Sequence, residues 1–557
     1  MILQALVKRY ADAGGEKPGW KKRAADFALN LDRDGNILEC IPLEQSVGKK
    51  KERRILSLPV TETRTAGISA FFLCDNVGYI LGIDTKGKGA EKREKSAALH
   101  REVLGDLESE AAVAILRFFE NTPELPPDLP ETKNDCVFMV NGRFAFEDEK
   151  IRAAWENYCA KQAKGTPIID LVTGERDTLM RLQGEINLRG VSMGKKPLVS
   201  INAESFASYG STASDPAAQI GQYASFAYVT ALNDLLASNA HRKYLSGDTL
   251  VYWAEGGGEA EAEAFSWVSE PKEEDNERLS SILEMYSTGK QIALENCDLE
   301  RSFYLLCLSP NAGRISIRFF LRDSFGNILN NNVQHYAQME IYSSRREKFP
   351  HIPPWMLLSE TTVKKSASDA MPLLGGQLLN AITTGSHYPM MLYQAMLTRI
   401  RAGEDVNRTK AAIIKAVLIR NYNESEVTTV ALNTETNKKP YILGRLFSVL
   451  EQLQNRASGG NLNTTIRERY FASACANPAG VFPTLLKLSM HHSAKLDNAV
   501  FYEKLKTELL GKLDIEDPFP QALDLEEQGM FILGYYHQTQ DFFTKKEKKV
   551  QEETTND

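Results

Sequence analysis

Cysteine is scarce and unpatterned in this sequence: seven among 557 residues, at positions 40, 74, 136, 159, 297, 307 and 475, with no C-x-x-C pair. An odd, scattered set excludes a disulfide framework and a zinc-finger pattern, and reads as the reduced core thiols of a cytoplasmic protein. Long apolar runs are missing as well. None approaches the roughly 18 residues of a membrane span. The opening Met1–Tyr10 is apolar only at helical spacing, and Lys8 and Arg9 interrupt it before a signal-peptide core forms. Histidine is sparse, at eight residues. His491 and His492 are adjacent, so on a helix they point about 100° apart and cannot grip one metal as an i, i+4 pair does. No H-E-x-x-H, no His-Asp pair and no G-x-S-x-G elbow occurs.

An excess of positive charge is also lacking. The chain carries 66 Lys+Arg against 73 Asp+Glu, a net −7, which at face value argues against binding a polyphosphate. The average conceals an asymmetry. Glu255–Glu284 holds ten acidic residues and two basic ones, a local charge of −8 that leaves the rest of the chain at +1. Residues 438–511 carry ten Lys/Arg and five Asp/Glu. The sign of the whole chain therefore excludes nothing. With Gly256-Gly257-Gly258 near its start and few bulky residues, the stretch 255–284 is expected to be an exposed, mobile insertion.

What is present divides the chain. At this length two or more domains are expected, and the fold class reads as α+β. Residues 1–350 alternate strand and helix signals. Asp34-Gly35 precedes a strand at Ile37-Leu38, and Asn141-Gly142 sits between two strands over Cys136–Phe146. A strand pair is expected around Ile55–Val60 and Ala70–Ile83, a helix over Ala97–Glu120, and an extended connector at Thr122–Pro130, which has four prolines. An amphipathic helix is read over Ala217–Ser238 and a strand over Thr249–Trp253. Phe303–Leu308 and Arg314–Leu321 form a hairpin. Residues 351–430 read as a helical connecting region. Residues 431–540 read as an antiparallel bundle with helices at Tyr441–Leu453, after the Asn477-Pro478 cap, and near 499–510 and 521–536. The charged end, 541–557, is expected to be a disordered tail.

Chemistry-bearing motifs are few. Gly82–Gly89 matches G-x-x-x-x-G-K after a strand, but Gly89 stands where a P-loop needs a Ser or Thr hydroxyl for magnesium. Its cations Lys86, Lys88, Lys92 and Arg93 then face phosphates or solvent. The run Lys49-Lys50-Lys51-Glu52-Arg53-Arg54 is stable when solvated or neutralised by a polyanion. Residues 194–210 place Lys195 and Lys196 before a short strand that delivers Asn202, Ser205 and Tyr209 into a turn. Asn and Ser read base edges, Tyr stacks or wedges, and Lys holds phosphates.

Several separated strings together resemble one family. They are Met1-Ile2-Leu3-Gln4-Ala5-Leu6; Leu171-Val172-Thr173-Gly174; Asn202-Ala203-Glu204-Ser205-Phe206 through Ser208-Tyr209-Gly210; Leu308–Arg318; Tyr441–Phe447; Arg467-Glu468-Arg469-Tyr470-Phe471; and Glu526–Gly529 through Gly534-Tyr535-Tyr536-His537-Gln538. In order and over nearly the whole chain, they resemble the large subunit of the type I-C CRISPR Cascade. That resemblance implies a non-enzymatic subunit with no cofactor or metal. Such a subunit recognises the protospacer-adjacent motif (PAM) in double-stranded DNA, promotes unwinding, stabilises the R-loop and helps recruit a helicase-nuclease. Its implied partners are crRNA, target DNA, the Cascade backbone and crRNA-processing subunits, and the small subunit, which the bundle 431–540 resembles. On this reading Asn76, Asn202, Ser205 and Tyr209 are candidates for motif reading, and Lys86, Lys88, Lys195 and Lys196 for the phosphate backbone. Arg467 and Arg469 are candidates for single-stranded DNA in the bundle. The competing expectation is a stand-alone metal- or nucleotide-dependent enzyme centred on Gly82–Gly89 or on the acidic stretch.

Overall fold

The computed structural model describes residues 1–557 except 17–18, 48–49, 60–67, 122–133, 163–164, 193, 202, 207–217, 460–463, 497 and 555–557. The expected connector at 122–130 lies outside the described residues. The chain is α+β and separates into two compact units, Met1–Gly184 with Val199–Leu232, and Glu185–Leu198 with Asn233–Asp557.

In the first unit Phe27–Leu31 occupies the middle of a mixed sheet, parallel to Asp135–Val140 and antiparallel to Ile37–Pro42, with Cys74–Asn76 beyond Asp135–Val140. The two central strands read as nearly continuous apolar runs because both faces are covered. Asn141 and Gly142, both at positive φ, turn the chain into Arg143–Phe144 as the dipeptide predicted. Ile55–Pro59 forms a strand but pairs with Trp20–Ala24, not with residues 70–83, where a short strand is followed by the helix Val77–Ile80. The expected helix 97–120 is two, Gly89–Leu104 and Glu110–Glu120, the second restarted by the Ser109 side chain capping Ala112 N–H. Their apolar faces close one core around Phe118, Phe138 and Trp155.

The second unit is built on a four-stranded antiparallel meander, Arg242–Leu245, Asp248–Ala254, Ser302–Asn311 and Arg314–Ser324. One face carries Leu250, Tyr252, Leu305 and Cys307 into a core that continues without a break to Leu443, Phe447, Phe531 and Tyr536. The division expected near residue 350 therefore falls inside one compact unit.

The acidic stretch corrects the expectation of an exposed insertion. It folds into the helices Glu259–Ser269 and Asn276–Ser287, which bury Ala262, Phe265, Val268 and Ile282 in that core. Even Glu261 is buried: its Oε1 accepts from Asp298 N–H at 2.9 Å and faces Arg301 Nε at 3.6 Å. One apolar stripe per helix is enough to dock it, whatever the charge of the opposite face. The last helix, Leu525–Thr554, also runs well past the expected end at 536 and into the predicted tail. Among the described residues no helix is long and apolar enough to cross a membrane.

Candidate nucleic-acid interface

Of the predicted contacts, Asn76, Lys86 and Lys88 belong to the first unit, at the start of the helix Val77–Ile80 and in the turn that follows it. Asn76 ends a strand and caps Val77–Ile80, its Oδ1 accepting from Gly78 N–H at 3.1 Å. With the oxygen used by the cap, Nδ2 remains as a donor suited to an acceptor edge such as purine N7. The following turn is tied by Asp84, which accepts from Lys88 N–H at 3.1 Å and pairs with Lys92 at 3.0 Å. The Lys92 ammonium holds the Asp84 carboxyl below the ordinary carboxylate range. Lys92 also lies 5.6 Å from the Tyr79 ring centroid. Arg93 turns inward, donating to Ile80 O at 2.6 Å and Phe118 O at 2.8 Å. Lys86 and Lys88 are left exposed, with no ion-pair partner among the described residues. Replacing both by alanine is expected to weaken duplex DNA binding alike for all sequences and to flatten the log–log salt slope by about 1.8, as two fewer counterions are displaced. Titrations over a salt series read this directly.

The same turn disposes of the P-loop reading. A Cβ on Gly89 would stand 1.8 Å from Gly82 O, so the position that needs a hydroxyl admits no side chain.

The remaining candidates are dispersed. Ser205 is exposed in the short 3-10 helix Glu204–Phe206, and the residues before it, 198–201, form no strand; Asn202 and Tyr209 lie outside the described residues. Lys195 and Lys196 belong to the second unit, Lys196 in a two-residue strand paired with Glu185-Ile186. In the bundle Arg467 is committed internally, bonded to Asp405 and, at 3.0 Å, to Glu404 O. Burial of Arg467 opposes its charge, but Tyr535 and Asp405 outweigh that and raise its pKa. Arg469 is exposed. Sequence reasoning missed Arg189 and Arg242, whose guanidiniums both lie over Tyr244. The available signal was Arg242-x-Tyr244, an alternation that puts both side chains on one face of a strand.

Residues in or beside several family-like strings make bonds within the fold. Asp170 before Leu171-Val172-Thr173-Gly174 is fully buried and accepts from Thr173 N–H and, across the unit, Gly221 N–H, both at 3.0 Å. Arg318 binds Ser309 Oγ at 2.8 Å and Asp248 at 3.4 Å. In the final string Tyr535 donates to Glu451 at 2.7 Å, Tyr536 to Tyr342 O at 2.9 Å, and Gln538 accepts from Arg445 at 3.1 Å.

Residues 3–543 match the family described as CRISPR-associated protein (Cas_Csd1). The chain belongs to this family. A Csd1-family chain is a CRISPR-associated protein, which places it in antiviral defence and is consistent with a subunit of a CRISPR effector complex. No curated protein matches it.

Proposed function

We propose that this chain is the non-catalytic large subunit of an RNA-guided type I-C Cascade, which reads the PAM of double-stranded DNA, promotes unwinding beside it, stabilises the R-loop and helps recruit the helicase-nuclease. The observation that carries the reading is the family match over residues 3–543. Its implied partners are crRNA, target DNA, the backbone and crRNA-processing subunits and the small subunit.

The chemistry of such a complex suits what this surface offers. Guide pairing supplies long-sequence specificity, so side chains need read only a few base pairs and the backbone. The half-buried Asn76 would supply one base-edge contact, and the exposed Lys86 and Lys88 two phosphate contacts, of that kind. Ser205, Lys195, Lys196 and Arg469 remain exposed or half-exposed candidates on the same reading. The net −7 then implies weak non-specific affinity of the chain alone and dependence on guide-bearing partners for tight binding. Reconstitution tests this: the chain should copurify with crRNA and the backbone subunits, and omitting it should abolish tight binding of a guide-matched duplex. Nucleic-acid turnover by the chain alone would favour the enzyme instead.

A further inference from the structure

In the second unit the segment Glu185–Leu198 folds back on itself, Glu185-Ile186 pairing antiparallel with Lys196-Pro197. Asn233 clamps its base: Oδ1 accepts from Asn187 N–H at 2.8 Å and Nδ2 donates to Glu185 O at 3.0 Å. Farther along, Ser192 N–H donates to Ala312 O, in the turn of the long hairpin, at 3.2 Å. So fixed, the segment presents Arg189 and Lys195, both exposed, with Arg189 reaching the edge strand Arg242–Leu245.

There the Arg189 guanidinium lies 5.1 Å, and that of Arg242 5.2 Å, from the centroid of the Tyr244 ring, which is 40% exposed. The ring quadrupole attracts each cation, while the two cations repel one another. Arg242 is anchored, donating to Leu236 O and to Asn239 Oδ1. Arg189 has no hydrogen bond or carboxylate partner among the described residues. No described residue thus consumes its donors or neutralises its charge. An incoming anion carried on a planar group would do both.

We propose that Arg189, Tyr244 and Arg242 form a platform for single-stranded nucleic acid. A base packs against the exposed Arg189 guanidinium and Tyr244 ring, and the unused donors of Arg189 take its phosphate. Stacking of this kind accepts any base but requires it to be unpaired, which favours a single strand over a duplex. An acidic peptide would use the cations and leave the stack idle. The proposal rests on the function above only in expecting nucleic acid; its place is argued from geometry.

The test titrates the purified full chain against labelled oligo(dT), oligo(rU) and a duplex over a salt series. Arg189→Ala is expected to weaken single-strand binding about tenfold. Arg189→Lys keeps the charge without the plane and should recover less than half of that loss on a logarithmic scale. Arg189→Ala should also lower the salt slope by about 0.7. Tighter binding of either single strand than of duplex supports the platform, and the preferred sugar names the source as opened DNA or guide RNA. An Arg189→Ala affinity within about twofold of the parent overturns it, as does full recovery by Arg189→Lys, tighter duplex binding, or equal competition by an acidic peptide. An assembled complex indifferent to the motif would defeat the function proposed above while leaving these single-strand results standing.

Discussion

Gly444→Ala is expected to destabilise the second unit by about 3 kcal/mol, the upper end of the usual cost of overpacking. The helices Lys439–Ala457 and Leu525–Thr554 meet at glycine: a Cβ on Gly444 would stand 1.9 Å from Phe531 O, and one on Gly534 2.2 Å from Tyr441 O. Backbone atoms cannot step aside as a side-chain tip can, so the helices must separate. That separation pulls at a row of side-chain bonds along the seam: Tyr441 with His537 at 2.8 Å, Arg445 with Gln538 at 3.1 Å and Ser448 with Thr539 at 2.8 Å. Arg445 is almost fully buried, and a buried charge that loses its partner adds to the cost. Gly534→Ala should behave alike. Gly511→Ala is the control, because a Cβ there meets nothing within 4 Å. Urea midpoints should fall steeply for the first two variants and stay level or rise slightly for the third.

Acidification should have the second large effect, through histidines buried in their neutral form. His100 is fully buried between Phe72, Phe119 and Phe138; Leu73 N–H donates to its Nε2 at 3.0 Å, so the ring proton sits on Nδ1 and is given to Ser96 O at 2.7 Å. Burial pushes its pKa down to about 4. Burial, with Arg420 nearby, pushes that of His335 to about 3, and burial with Lys415 nearby does the same for His537. Between pH 6.5 and these values the unfolded chain binds protons that the folded chain refuses. Stability is therefore fully present above the unfolded value and is lost as pH falls through the folded ones, by about 3 kcal/mol for His100 alone. Carboxylate effects begin lower, so denaturant midpoints followed from pH 7 to pH 4 should already decline steeply above pH 5. A flat profile there would contradict the neutral, buried state of these rings.

The parts of this fold that were legible in the sequence are those decided locally. Asn141-Gly142 announced its turn because few residues adopt positive φ, Asn477 announced a helix start because its side chain caps Gly480 N–H, and Ser302–Ser324 read as a hairpin from its two β-rich runs. Pairing at long range was not legible. Ile55–Pro59 chose Trp20–Ala24 over the nearer residues 70–83, a decision made by the core and not by propensity. The acidic stretch misled because its mean charge hid Ala262, Phe265 and Val268, which fall on one helical stripe. For the candidate site, the exposure of Lys86 and Lys88 agreed with a loop reading, whereas residue type alone could not tell Arg467, locked onto Asp405, from Arg469, which is exposed. The strings Tyr441–Phe447 and Gly534–Gln538 carried the family resemblance yet serve helix packing, so a resemblance of strings locates the fold more surely than the contact surface.

The account turns on whether this chain reads a short motif in duplex DNA through its first unit. The most direct measurement is the affinity of the assembled, guide-loaded complex for a matched duplex with and without the flanking motif, for the parent and for Asn76→Ala. The parent should prefer the motif-bearing duplex, and Asn76→Ala should narrow that preference by about 1–3 kcal/mol while leaving binding to the motif-free duplex unchanged. A parent complex that binds both duplexes equally would contradict the central claim. A preference untouched by Asn76→Ala would remove Asn76 from the reading surface.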